Sequence, residues 1–264
     1  MSSSYFYKGY ITSPHPNNVR FTFPNGRELW ANAATLAAAS PYFKSLLESG
    51  FREGTTVFEE RTESTSAEVN SIDFDDSDDE GLQPLEEALG RTPAASSSPA
   101  VDTCTHPIHH VKITQSSYIT YLAVLCWIST GYIDWAPLSS SFSDTTTRAN
   151  AISTTQKLNS LPIPSSPKSI YRLAHFLELT ELKKLALQAI KAQLTVENIM
   201  DELFSETSRT FDDVTDLLVE FVREHRKELS LKSDPKWREM ADRVVGLQWG
   251  GRVAWKLVAA MGDS

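Results

Sequence analysis

Residues 18–53 read NVRFTFPNGRELWANAATLAAASPYFKSLLESGFRE, and most of the fold can be inferred from this stretch. Val19, Phe21 and Phe23 alternate with polar residues, Pro24-Asn25-Gly26 turns the chain, and Leu29 follows, so 19–31 is predicted to be a β-hairpin. Asn32 has the side chain to cap a short alanine-rich helix over 33–39. Ser40 then caps a second helix with Pro41 at its first position, where the missing N–H costs nothing. Phe43, Leu46 and Leu47 share one face of that helix. Gly50 suits the left-handed position that ends it, and Phe51 stands where a hydrophobic residue often packs back.

Working outward, the 264 residues make room for one or two ordinary domains. The net charge is −9, but residues 59–87 alone carry −11, leaving the rest of the chain at +2. A near-neutral ordered part argues against a nucleic-acid surface and against a polybasic membrane patch. Two cysteines, Cys104 and Cys126, in unrelated contexts give no disulfide framework and suit a reducing compartment. The N-terminus lacks the pattern of a secretory signal. The most apolar run, YLAVLCWI at 121–128, is far shorter than the ~20 residues of a membrane helix. A soluble, intracellular protein of cytoplasm or nucleus is expected.

From Glu59 to Thr105 the periodicity is lost in DFDDSDDEG and RTPAASSSPA, so 59–105 is expected to be a disordered insertion. Ser77, followed by Asp78, Asp79 and Glu80, is a candidate phosphorylation site for an acidophilic kinase. HHVKIT at 109–114 reads as a strand. Ser116 or Ser117 then opens a helix with Tyr118, Tyr121, Leu122, Leu125 and Ile128 on one stripe, closed by Gly131. Residues 138–166 are expected to be a second, Ser/Thr-rich disordered insertion. Ser166-Pro167 starts a helix with Ile170, Leu173, Ala174 and Leu177 inward. Thr180, Thr195 and Thr210 are expected to cap three more, with Leu182, Leu185, Ala186, Ala189 and Ile190 striping the first. The last carries Val214, Leu217, Leu218, Phe221, Val222 and His225 on a single face. Residues 236–261 read as one or two weaker helices.

Catalytic signatures are missing: no G-x-S-x-G, phosphate loop, dinucleotide fingerprint or H-E-x-x-H occurs, so no enzyme activity and no cofactor are expected. In CTHPIHH, Cys104, His106, His109 and His110 are metal-capable, but a structural zinc site draws on two separated pairs and no second pair exists. The cluster reads as a loop entering a strand, with no metal.

NVRFTFPNGRELWANAATLAAASPYFKSLL resembles the opening of a BTB/POZ domain, with its strand pair, alanine/leucine-rich helix, S-x-Y-F and second helix. YLAVLCWISTGYI resembles that family's next helix with its terminal signature, here Trp127, Ile128, Ser129, Thr130, Gly131, Tyr132 and Ile133. IYRLAHFLELTELKKLALQAI is similar to its last helix pair. The wording SPYFKSLLESGF, with large low-complexity insertions, looks most like fungal BTB proteins. LTVENIMDELFSETSRTFDDVTDLLVEFVREH is similar to the helix pair after the BTB fold in cullin-recruiting adaptors, with Thr195, Val196, Glu197 and Asn198 at its opening.

The resemblance implies an α+β BTB/POZ fold, a small β-sheet flanked by a cluster of α-helices. A tail over 1–18 would precede the BTB/POZ domain over 19–194, interrupted by the two insertions, and an all-α extension would cover 195–264. It implies a non-catalytic adaptor or scaffold that recruits a cullin-3-type ubiquitin-ligase scaffold. In such adaptors an apolar residue, any residue and a glutamate follow the second helix, and Phe51, Arg52 and Glu53 occupy those positions. Two roles stand for Phe51: a buried anchor in the cullin's pocket, or a side chain packed back on its own helix. The alternative function is a homo-oligomerising transcriptional regulator or structural scaffold without a ligase role.

Some positions depart from the family. Asn18 stands where aspartate is frequent, and Asn32-Ala33 where His-Lys or His-Arg is, so the charged corepressor groove of BTB repressors is not carried over. Residues 1–18 contain Pro14 and Pro16 and no helical stripe, so a homodimer would use another surface than the family's swapped N-terminal helix. No MATH, kelch or zinc-finger module is legible within the chain.

Overall fold

The computed structural model describes residues 17–24, 26–48, 57–59, 108–159, 164–231 and Lys256. Strands β1 (Val19–Thr22) and β2 (Glu28–Ala31) form the expected antiparallel hairpin, with Val19 opposite Ala31 and Thr22 opposite Glu28. Its turn is closed by Gly26 N–H donating to Phe23 O at 2.9 Å, and Gly26 has φ +76°, the left-handed region that glycine enters without a Cβ clash.

The chain then makes helix α1 (Ala33–Ala39) and helix α2 (Pro41–Glu48). Asn32 caps α1 as its sequence suggests, its side chain accepting from the backbone N–H of Ala34 and Thr35 at 3.0 and 3.2 Å. Replacing it by alanine strands those two donors. Asn32→Ala is therefore expected to cost about 1 kcal/mol in urea unfolding; an unchanged midpoint would mean that the cap adds nothing here.

Strand β3 (Val57–Glu59) is not anticipated by the sequence pattern, and it places Glu59 in a strand rather than at the head of an insertion. The rest of the expected insertion, including Ser77, lies outside the described residues. Strand β4 (His109–Lys112) returns parallel to β1, with Val19 opposite His109, and β3 pairs parallel with β4. The sheet order is β2-β1-β4-β3. A parallel neighbour cannot be reached by a tight turn, which is why α1 and α2 fit between β2 and β4 in the chain.

Strand alternation sorts the faces. Val19, Phe21, Leu29, His109 and Val111 are buried, while Glu28 and Lys112 point out to solvent. Phe21 meets Phe43 of α2 edge-on at 6.0 Å and Tyr121 at 5.6 Å. Phe23 contacts Tyr118 and Tyr121 at 5.3 and 5.8 Å.

Tyr118 and Tyr121 belong to helix α3 (Tyr118–Thr130), capped by Ser117, whose side chain accepts from Thr120 N–H, and closed by Gly131 at φ 72°. Every residue from Tyr118 to Cys126 is buried, so α3 is covered all round, beyond the single stripe seen in the sequence. Thr120, 1% exposed, remains satisfied through the Ser117 hydroxyl at 2.9 Å.

Residues 138–166, expected as a disordered insertion, correct that expectation. A 3₁₀ turn (Ser139–Ser141) and helix α4 (Thr145–Asn159) occupy most of it. Leu138 and Ile152 are buried at 0% and 1% exposure, and Ser165 bridges to Trp135. Arg148, itself buried, donates through Nε to Pro137 O at 2.9 Å. Asp144 caps α4 by accepting from Thr147 N–H at 2.8 Å. Two well-placed apolar side chains and one buried guanidinium are too sparse a signal to rise above the Ser/Thr background.

Helices α5 (Pro167–Phe176) and α6 (Thr180–Ala192) pack against each other, and α5 also packs on α3. Ile170, Leu173, Ala174 and Leu177 are buried as expected; Leu185 is 39% exposed and leaves the stripe assigned to it. Thr180 is the first residue of α6 rather than its cap.

The remaining helices are α7 (Ile199–Leu203), α8 (Glu206–Thr210), α9 (Asp212–Glu224) and α10 (Arg226–Leu231). Thr210 ends α8, its hydroxyl donating to Glu206 O at 2.9 Å, so it does not cap α9. Val214, Leu218, Phe221 and Val222 are buried, and His225 stacks on Phe221 at 4.0 Å. No described helix is long and apolar enough to cross a membrane. The architecture is α+β.

Candidate interaction surface

Helix α2 carries the residues from which the expected anchor would project. Its N-terminus is fixed twice by Ser40. The hydroxyl accepts from Phe43 N–H at 3.1 Å and donates to Leu177 O, just past α5, at 2.6 Å. Phe43 and Leu47 are buried on the inner face, with Leu46 half-buried. On the outer side Tyr42 packs on Phe176 with ring centres 4.9 Å apart, and Phe176 is 42% exposed. An aromatic pair at the surface where α2 meets α5 thus flanks the helix. Phe51, Arg52 and Glu53, as well as Gly50, lie outside the described residues, beyond Glu48 at the end of α2.

The two positions at which the sequence departs from the BTB repressor pattern come together. Asn18 Oδ1 accepts from the backbone N–H of Ala33 at 2.8 Å. No charged side chain is contributed by either, and the contact ties β1 to the start of α1.

The signature at the end of α3 has a local structural role. Ser129 and Thr130 donate to the carbonyls of Leu125 and Cys126 at 2.8 and 2.7 Å, and Thr130 Oγ1 accepts from Tyr132 N–H at 3.1 Å. Tyr132 emerges 38% exposed.

Thr195 and Asn198 form a reciprocal pair at the head of α7. Asn198 Oδ1 accepts from Thr195 N–H at 2.8 Å, and Thr195 Oγ1 accepts from Asn198 N–H at 3.3 Å. Phe211 meets Tyr171 edge-on at 5.1 Å, joining α9 to α5. Lys183 pairs with Asp213 at 2.7 Å, and this partner holds the Asp213 carboxyl below its ordinary range. Burial, with Asp213 nearby, pushes the Tyr171 phenol above its ordinary value. Lys256, helical, pairs with Asp216 and Asp212 at 2.5 and 3.5 Å.

A polar clamp between the 3₁₀ turn and the α6–α7 junction escapes sequence reasoning. Gln193 Oε1 accepts from Leu138 N–H at 2.7 Å while its Nε2 donates to Ala136 O at 3.2 Å. Asn198 Nδ2 donates to Ser141 Oγ at 3.1 Å. Ser140 Oγ donates to Glu202 Oε1 at 2.6 Å. Lys168 Nζ lies 3.3 Å from both Glu202 oxygens, with the two side chains only 4% and 2% exposed. A buried ion pair leaves no local sequence trace, because its members are 34 residues apart.

Of the metal-capable cluster, Cys104 and His106 lie outside the described residues. His109 and His110 alternate across β4. His109 is buried, and His110 Nδ1 faces the Arg20 guanidinium at 2.6 Å. Burial first, then Arg20, lowers the pKa of His110, which favours the neutral ring. Among the described residues no group of three or more His, Cys, Asp or Glu could hold a metal ion. Cys126 is buried and free, and burial raises its thiol pKa.

Compared with models of known protein families and with curated proteins, the sequence matches none.

Proposed function

We propose that this chain is a non-catalytic protein–protein interaction module of the BTB/POZ type, an adaptor that recruits a cullin-3-type ubiquitin-ligase scaffold in the cytoplasm or nucleus. The observation that carries the reading is the order of elements: an antiparallel hairpin, two short helices, then two strands, of which the second pairs parallel with the first strand of the hairpin. Helices α3, α5 and α6 follow in the order of the resembling blocks, and α7 to α9 stand where the adaptors' extension would be. The surface offered is apolar and aromatic, with Tyr42 and Phe176 beside the helix that leads to Phe51. Docking of this kind needs neither cofactor nor metal, and the near-neutral charge outside residues 59–87 suits a protein partner over nucleic acid or membrane.

The competing proposal is a homo-oligomerising regulator or scaffold. The uncharged Asn18–Ala33 contact argues against the repressor variant, because no ion pair shapes a corepressor groove there. Sedimentation of the purified chain, alone and with the N-terminal domain of a cullin-3-type scaffold, separates the two. Adaptor function predicts a co-sedimenting complex; self-association without any complex would leave the scaffold reading.

A further inference from the structure

We propose that the outer face of α9 is a docking surface for a basic, partly apolar helix, and that its occupant is the chain's own C-terminal segment around Lys256, residues 252–260. This goes beyond the adaptor reading and does not rest on it.

The acidic side chains of α9 find their cations at different ranges. Glu220 pairs with Arg223 three residues on, a contact that an isolated helix can make. Asp213 reaches Lys183 of α6 and ties α9 to the body of the fold. Asp212 and Asp216 instead share Lys256, which stands 44 and 40 positions later in the chain. Local helix geometry cannot bring such distant residues together, so the contact reports tertiary docking of the segment that carries Lys256.

The face suits that occupant. Asp212 and Asp216 are four residues apart, one turn above the other, and Lys256 bridges the two. Lys256 is 28% exposed, more enclosed than either carboxylate, and is itself helical. Val219 comes three residues after Asp216 and seven after Asp212, which puts it on the same flank of α9, and it is buried. An apolar side chain therefore borders the carboxylate pair.

The sequence around the lysine, RVAWKLVAA at 252–260, is rich in Ala, Leu, Lys and Arg, which are strong helix formers, and holds no acid. Continued as a helix, it sets Arg252 one turn before Lys256 as a second cation, with Val253 and Ala259 on the same side. One exposed ion pair would hold such a segment weakly. A lysine shared by two carboxylates, with apolar residues beside it on both partners, gives it a preferred seat.

Hydrogen exchange of the full chain, read by mass spectrometry on peptides covering 252–260, tests the docking. Protection there should exceed that of a free peptide of the same sequence. Lys256→Glu sets like charge against Asp212 and Asp216 and should quicken exchange over 252–260 by about fivefold. Exchange over 118–126 in α3 should stay unchanged, which shows that the variant is folded. Asp216→Lys alone should act in the same direction. Combined with Lys256→Glu it should recover part of the protection, because the pair is then restored with its signs exchanged. Exchange over 252–260 as fast as in the free peptide, or equal in the parent and Lys256→Glu, would overturn the proposal. Protection that falls on dilution would seat a second copy's segment on α9 and overturn the in-chain occupant.

Discussion

Glu202→Ala is expected to lower the stability of the chain by about 3–5 kcal/mol, because it leaves the Lys168 ammonium buried without its carboxylate. The cost comes from the stranded charge more than from the lost attraction. In water each ion is well solvated; at 4% and 2% exposure neither retains that shell, and the pair compensates for it only while both members stay. The Ser140 hydroxyl loses its acceptor in the same variant. The double replacement Lys168→Met with Glu202→Leu removes both charges and should recover most of the loss. Urea unfolding followed by circular dichroism measures both. A Glu202→Ala variant within about 0.5 kcal/mol of the parent would show that water reaches the pair freely.

Phe21→Ala should cost a similar amount, about 3–5 kcal/mol, by a different route. Phe21 is 0% exposed, on the strand paired with both β2 and β4, with its ring against Phe43 and Tyr121. Truncation removes the ring's burial and leaves a cavity between the sheet, α2 and α3, whose walls are held by the sheet ladder and cannot close fully. Phe21→Leu fills much of that space and should be far milder. Equal losses in the two variants would mean that the site is not a packed core.

What could be read from the sequence was local. The hairpin needs only alternation and a glycine turn, and Asn32, Ser40 and Ser117 declare their caps within three residues. The order in the second insertion leaves no mark in its own sequence, because the groups that hold it are distant in the chain. Gln193, Asn198 and Glu202 hold a segment about 60 residues earlier, and none of them shows that partnership in its own neighbourhood. Thr210 differs from its expected role for a related reason. A threonine before two aspartates looks like a cap, yet Phe211 takes the position before α9 and Thr210 bonds backward to Glu206. The candidate anchor follows from resemblance alone, and it lies outside the described residues, beyond the end of α2 at Glu48.

The measurement that tests the central claim most directly is calorimetric titration of the purified chain with the N-terminal domain of a cullin-3-type scaffold, beside a folded Phe51→Ala variant. Sub-micromolar binding weakened by at least ~2 kcal/mol in the variant is the predicted result, since a buried aromatic anchor carries that much of an interface. Absence of heat at any ratio, with the chain folded, would contradict the adaptor reading; binding unchanged by the substitution would remove Phe51 as its anchor.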